Sequence, residues 1–176
     1  MDDTAIKQAL AGCKPTQRKL IMHLQDIWFR FCVSLLADSD LAKDATQETA
    51  MRFLRSLKKF NHQSTITTWS LGIALNVCRE LRRKRKKHYN KPLTMAEEPS
   101  HRSTPDHIAE QQELITQIKR LLSDLPDRQR EVISLRYLQN LSVQDTATTL
   151  GIAAGTVKAT LSQALAKLRK QMESKP

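Results

Sequence analysis

Eight of the thirteen residues from Arg79 to Lys91 are lysine or arginine, against the single acid Glu80. Guanidinium and ammonium groups make charge-assisted hydrogen bonds to phosphate. A run this dense reads as a polyanion-binding face, with nucleic acid as the first partner and an anionic membrane surface as the second. The bland alternative is a solvated helix end, since cations complement the dipole there. Little else in the chain suggests turnover. His23, His62, His88, His101 and His107 lie in no metal-ligand spacing, and no glycine-rich phosphate loop or nucleophile elbow is present. Asp38, Asp40 and Asp44 cluster at a helix entrance, where carboxylates favour the positive dipole end without any metal. A nuclease centre there lacks further converging ligands. The expected chemistry is therefore binding rather than catalysis, with no cofactor and no metal.

Composition indicates the elements that must position these residues. The 176 residues carry 29 basic and 18 acidic side chains, a net charge of +11, which calls for an anionic partner. With 4 Gly and 6 Pro the chain is poor in the turn residues of barrels and sandwiches. No apolar run reaches the roughly 18 residues of a transmembrane helix, so no membrane insertion is expected. The opening Met1-Asp2-Asp3 lacks the basic start of a secretory signal. Cys13, Cys32 and Cys78 are too widely spaced for a zinc knuckle, and three thiols fit a reducing compartment, the cytoplasm. The expected fold is all-α: two small helical domains joined by a flexible linker, the C-terminal one a helix-turn-helix. The sign of the charge switches to acidic over residues 92–118, alongside Pro92, Pro99 and Pro105. That places the units at 1–87 and 112–176 with a linker at 88–111. The opposite charges of linker and basic run suggest that the two touch in the free protein.

In the first unit, Leu20, Leu24, Trp28, Phe31 and Leu35 recur at helical spacing over residues 17–36. A second helix is expected from about Leu41 to Leu57. A third begins at Thr67 or Thr68, acceptable caps, and runs from Trp69, Ile73 and Val77 directly into the basic run. Phe60 stands alone in a polar stretch, so its plain reading is a core plug. In the second unit, Pro126 is expected in the first turn of a helix that places Val132, Ile133, Leu135 and Leu138 on one side. Ser142 and Asp145 have capping spacing, and Gly151 suits a left-handed helix end. Ala147, Gly151 and Val157 would permit close helix crossing, and a final helix starts near Thr156. This pair of helices is a helix-turn-helix pattern whose last helix would enter the major groove.

The stretch Leu125-Pro126-Asp127-Arg128-Gln129-Arg130-Glu131-Val132, with Leu141-Ser142-Val143, Leu150-Gly151 and Gly155-Thr156-Val157-Lys158, resembles the promoter-recognition domain of bacterial sigma factors. Asp44-Ala45-Thr46-Gln47-Glu48-Thr49 resembles that family's polymerase-binding helix, and Thr68 to Asn76 with the basic run its promoter-melting helix. Their order, with no other domain, is similar to the extracytoplasmic-function group. The resemblance covers about residues 5–172.

It implies a factor that binds core RNA polymerase and promoter DNA. Asp44, Gln47 and Glu48 would face the β′ coiled coil, and the second domain would meet the β flap. Phe60 and the loop to Thr68 would cradle a base extruded from the −10 element, with Asn76 contacting it and Arg79, Arg82, Arg83 and Arg85 on the backbone. Thr156, Lys158, Thr160, Ser162 and Gln163 would read the −35 element. The resemblance also implies room for a sequestering anti-sigma factor. The recognition helix departs from the family pattern: Ala153 stands where a Ser or Thr cap is common, and Thr160 and Gln163 where arginines are common. The alternative function is a stand-alone helix-turn-helix regulator that does not engage polymerase.

Overall fold

The computed structural model describes residues 3–89, 122 and 124–173. Among them every regular element is helical. The expected linker, including its contact with the basic run, lies largely outside the described residues.

Helix α1 (Asp3–Leu10) packs on α2 (Lys14–Leu36), which forms a three-helix bundle with α3 (Ser39–Ser56) and α4 (Ile66–Tyr89). Leu20, Leu24, Trp28, Phe31 and Leu35 are fully buried, as their spacing requires. A row of rings runs through the bundle: Trp28 lies 5.3 Å from Phe53, Phe53 5.6 Å from Trp69, and Trp69 5.4 Å from Phe60. Trp28 Nε1 donates to Ser70 Oγ at 2.9 Å, which satisfies a buried donor and joins α2 to α4. The entry to α3 is capped by Asp38, whose carboxylate accepts the amides of Asp40 and Leu41. This is the dipole-complementing role its position suggested. The cap of α4 is Thr65, not Thr67 or Thr68: its Oγ1 accepts the amide of Thr68 at 3.1 Å.

The second unit comprises α5 (Asp127–Ile133), a π-type turn (Ser134–Leu138), α6 (Val143–Leu150) and α7 (Ala154–Glu173). Pro126 stands just before α5 rather than inside it. In the π-type turn the Gln139 amide reaches back to the Ser134 carbonyl, five residues away. One extra residue in the turn rotates the chain beyond it, so Leu138 is 39% exposed instead of sharing the buried face of Val132 and Leu135. Ser142 Oγ accepts the Asp145 amide at 3.0 Å and caps α6. Gly151 ends α6 at φ 65°. A Cβ on Gly151 would touch nothing within 4 Å, so this glycine serves the left-handed turn and not a close helix crossing. Ser142→Ala should lower stability by about 1 kcal/mol, read as a lower midpoint in urea with unchanged helicity at zero denaturant.

The two units share one core. Val132, Leu135, Leu141, Ala147, Leu150 and Val157 belong to the same buried cluster as the bundle residues. Among the described residues, Leu122, Leu125, Ile133 and Ala164 form a separate small core, flanked by Leu161 and Leu168. Helix α6 packs on α4, and both α5 and the π-type turn pack on α2. Arg130 fastens the junction by donating to the carbonyls of Leu122, Leu125 and, across the interface, Leu35.

Candidate nucleic-acid interface

Helix α4 does two jobs along one axis. Its first turns bury Leu71, Ala74, Leu75, Val77 and Cys78 in the bundle, and its last turns carry Arg83 to Lys87 outward, while Arg82 is largely covered. The helix continues without a break between the two halves, so the cations are held on a rigid rod. Asn76 is exposed, and with Ile73, Arg79 and Arg83 it lines an open cleft of about 810 Å³ between α3, α4 and α5.

Phe60 occupies a different place. It is 7% exposed, packed at a tilt against His62 at 4.6 Å and against Trp69, and lines a cavity of about 310 Å³ with His23, Ser64 and Thr67. Trp69, Ile73 and Asn76 follow one face of α4 at helical spacing. Seven residues separate Trp69 from Asn76, about 10 Å along the axis. The structure therefore places Phe60 and Asn76 at two ends of a strip rather than as two walls of one cavity. The sequence pattern gives no sign that His23, on α2, belongs to this cavity; only tertiary folding brings it there.

The basic face is not bare. Glu131 of α5 receives Arg79 Nε at 3.0 Å and Nη2 at 2.7 Å, Arg82 Nη2 at 2.6 Å and Arg128 Nη1 at 3.2 Å. Asp127, one turn earlier, receives Lys86 Nζ at 3.3 Å and forms an ion pair with Arg82, whose Nη1 lies 3.1 Å away without hydrogen-bond geometry. Arg85 lies 3.7 Å from Asp38. Burial pushes the Glu131 carboxyl up, but hydrogen bonds and charge from Arg79 and Arg82 outweigh it and hold the group below the usual glutamate range. Asp127 is likewise held low, burial being outweighed by Arg82 and Lys86. A carboxylate with a depressed folded value contributes stability that is complete above its unfolded value near 4.3 and is lost as pH falls through the folded one. Thermal stability should therefore drop as pH falls below about 4, and Glu131→Gln should make that drop shallower in a melting series from pH 6 to 3.

On α3, Asp44 and Gln47 are exposed, and Met51 and Leu54 continue their stripe outward at three- to four-residue steps. Glu48 differs. It has an intramolecular partner, Arg52 Nε at 2.6 Å, and Arg52 is also bidentate to Glu80 at 2.8 Å on both oxygens. Part of the polarity of this flank therefore serves the protein's own fold at Glu48. On α7, Val157 and Ala164 face the core, while Thr156, Lys158, Ser162 and Gln163 are exposed and Thr160 is half-buried. Cys32 and Cys78 are buried, and the Cys78 thiol is pushed up by its hydrogen bond with Cys32 and by burial. Cys13 is exposed, and its sulfur accepts from Thr16.

A helical bundle ending in a cationic rod, followed by a capped helix-turn-helix, defines a DNA-binding protein of the transcription machinery. Comparison with known proteins narrows this. Residues 20–88 match the family model Sigma-70 region 2, and residues 115–168 match Sigma-70, region 4. The chain is 32% identical over 169 residues to the probable RNA polymerase sigma-C factor of Mycobacterium bovis, covering 93% of this chain and 89% of that protein. It is 32% identical over 154 residues to the ECF RNA polymerase sigma factor SigX of Bacillus subtilis, covering 85% and 79%. The fold is similar to that of CnrH in complex with the cytosolic domain of CnrY, with a TM-score of 0.75 and 20% identity over 98% of this chain and 97% of that one. It is also similar to RpoE in complex with the anti-sigma factor NepR from Bartonella quintana, with a TM-score of 0.70 and 24% identity over 90% and 98%. The chain belongs to the extracytoplasmic-function group of RNA polymerase sigma factors, which direct transcription initiation. No described helix is long and apolar enough to cross a membrane.

Proposed function

We propose that this chain acts in the cytoplasm by binding, not turnover, as two working units at 1–87 and 112–176 joined by 88–111. The first docks on the β′ coiled coil of core RNA polymerase through the α3 stripe, with Asp44 and Gln47 outermost, Met51 and Leu54 adding apolar contact, and Glu48 at the edge beside Arg52. The same unit engages the −10 element. Phe60 walls the site for an extruded base, Asn76 contacts the strand further along, and Arg79, Arg82, Arg83 and Arg85 neutralise backbone phosphates. The second unit lays α7 on the −35 element through Thr156, Lys158, Thr160, Ser162 and Gln163, and meets the β flap with exposed apolar groups such as Tyr137. With Lys158 the cation on that leading face, contact there leans on neutral donors and on DNA shape. An anti-sigma factor completes the partners.

One observation carries this reading: apolar anchoring and dense cationic charge lie on a single uninterrupted helix, in a chain whose relatives over 93% of its length are sigma factors. The test is in vitro transcription with purified core enzyme on a library of random promoter fragments. Specific transcripts should appear only when this protein is added, and Asp44→Arg should abolish them while leaving the fold intact. A protein that binds duplex DNA alone and forms no complex with core polymerase would instead be the stand-alone regulator.

A further inference from the structure

Asn76, Glu80 and Arg83 follow one another on α4 at steps of four and three residues, so they share one face, and all three line the open cleft. A strand running from Asn76 to Arg83 covers about 10 Å along the axis and crosses Glu80 midway. That carboxylate is the single acid of the basic run. It stands closer to both neighbours than the roughly 8 Å over which charges act at physiological salt. Nor does it shed its charge. Hydrogen bonds from Arg52 above all, with the charges of Arg52, Arg83 and Lys84, outweigh burial and hold the Glu80 carboxyl below the usual glutamate range. Left bare, an ionised acid in the path of a phosphate backbone repels it.

Arg52 reaches this acid from α3, 28 residues away in sequence. Its Nη1 and Nη2 meet the two Glu80 oxygens at 2.8 Å each, while Nε meets Glu48 at 2.6 Å. We propose that Arg52 is a positioning residue for the −10 strand: it neutralises Glu80 in place, so that Asn76 and Arg83 share one unbroken track for a nucleic-acid backbone. The inference rests on the reading of α4 as the −10 face.

Three observations support it. First, the fold has little need of the pair. The side chains of Arg52 and Glu80 are each 36% exposed, and ion pairs so open to water stabilise little. Phe53 and Trp69 already join α3 to α4 through packed rings. Second, the geometry suits neutralisation rather than mere proximity. A planar guanidinium covers both carboxylate oxygens at once, which the point charge of a lysine does not. Third, the same guanidinium holds Glu48 beside the α3 docking stripe and Glu80 on the DNA face. The two surfaces are thereby kept in register.

The test uses holoenzyme reconstituted from core polymerase and the full chain, on a promoter recovered from the random library. Affinity for that promoter and affinity for core polymerase are measured separately by fluorescence anisotropy. Arg52→Gln should weaken promoter binding about tenfold, the scale of one close like-charge contact in a partly screened medium. Core affinity should stay within twofold, and the melting temperature should fall by no more than about 4 °C. Adding Glu80→Gln should return promoter affinity to within twofold of wild type, because the acid to be neutralised is gone. Adding Asp40→Asn instead restores the same net charge twelve residues, roughly 18 Å, away along α3, and should rescue nothing. Arg52→Lys should lose about threefold, and it carries the same two rescues if Arg52→Gln does not fold. The proposal is overturned if the Arg52 variants bind the promoter as wild type does. It is equally overturned if Glu80→Gln gives no rescue, which makes Arg52 a phosphate contact, or if Asp40→Asn rescues as well, which makes net charge the cause. A drop in core affinity beyond twofold would make Arg52 a docking residue instead. If Arg83→Ala with Arg85→Ala binds the promoter as tightly as wild type, the reading of α4 itself falls, and this role for Arg52 with it.

Discussion

Trp28→Ala is expected to destabilise the protein by about 3–5 kcal/mol, the usual range for removing a buried aromatic. That is a large part of the 5–15 kcal/mol that holds a typical domain. Trp28 is fully buried, meets Phe53 with the two rings tilted at 58°, and ties α2 to α4 through Ser70 across 42 residues of sequence. Alanine removes the ring from the head of an aromatic row that continues through Phe53 and Trp69 to Phe60. The loss therefore reaches the loop that walls the proposed base site. Trp28→Phe separates packing from hydrogen bonding. It keeps most of the ring volume, and Ser70 Oγ still donates to the Thr67 carbonyl, so a loss of about 1–2 kcal/mol is expected. Met22, 59% exposed on the same helix, is the control: Met22→Ala should stay within about 0.5 kcal/mol of wild type. Guanidinium unfolding followed by far-ultraviolet dichroism reads all three. A Trp28→Ala protein within 1 kcal/mol of wild type would contradict this account of the core.

The features legible in the sequence and those hidden in it divide along physical lines. The helices α2, α3 and α4 announce themselves because 18 to 24 residues of three- and four-residue apolar spacing have few other uses. The caps Asp38 and Ser142 and the Gly151 turn are readable because their chemistry is local. Helix α1 is not: eight residues are too few for a periodic signal, and it is held by burying Ile6 and Ala9 against α2. The cap of α4 lies two or three residues earlier than expected because Thr65, Thr67 and Thr68 are chemically alike and only backbone geometry chooses among them. Leu138 leaves the core because a π-type turn inserts one residue, which no hydrophobic pattern encodes. Most is hidden at the junction of the two units. Leu135 and Ala147 look the same in sequence whether they pack within their own unit or against another. The pairs Arg79–Glu131 and Arg82–Glu131 join residues 52 and 49 positions apart. The basic run is visible as charge, but apart from Glu80 within it the nearest acids that follow along the chain are those of the linker, and sequence shows proximity along the chain and not in space.

Phe60→Ala should reduce promoter opening by 10- to 100-fold, and this is the sharpest way to separate the two readings of that residue. Extruding a base costs a few kcal/mol, and stacking on an aromatic ring returns about 1–3 kcal/mol per base, a factor on the order of 10 to 100 at room temperature. Phe60 is also packed against Trp69 and His62, so alanine alone confounds lost stacking with lost core. Phe60→Leu resolves this. Leucine keeps apolar volume and should hold thermal stability close to wild type, yet it has no π-face for a base. If Phe60 captures a base, Phe60→Leu will fold normally and still open a duplex promoter poorly. The defect should shrink severalfold on a template whose −10 region is already mismatched, because the unpairing cost is then removed. Permanganate reactivity of unpaired thymines and abortive transcription on the two templates measure this directly. If Phe60→Leu opens duplex promoters as well as wild type, the ring is only a plug for the bundle. The base must then be held elsewhere on the strip between Trp69 and Asn76, and the His23-lined cavity would lose its claim to the −10 element.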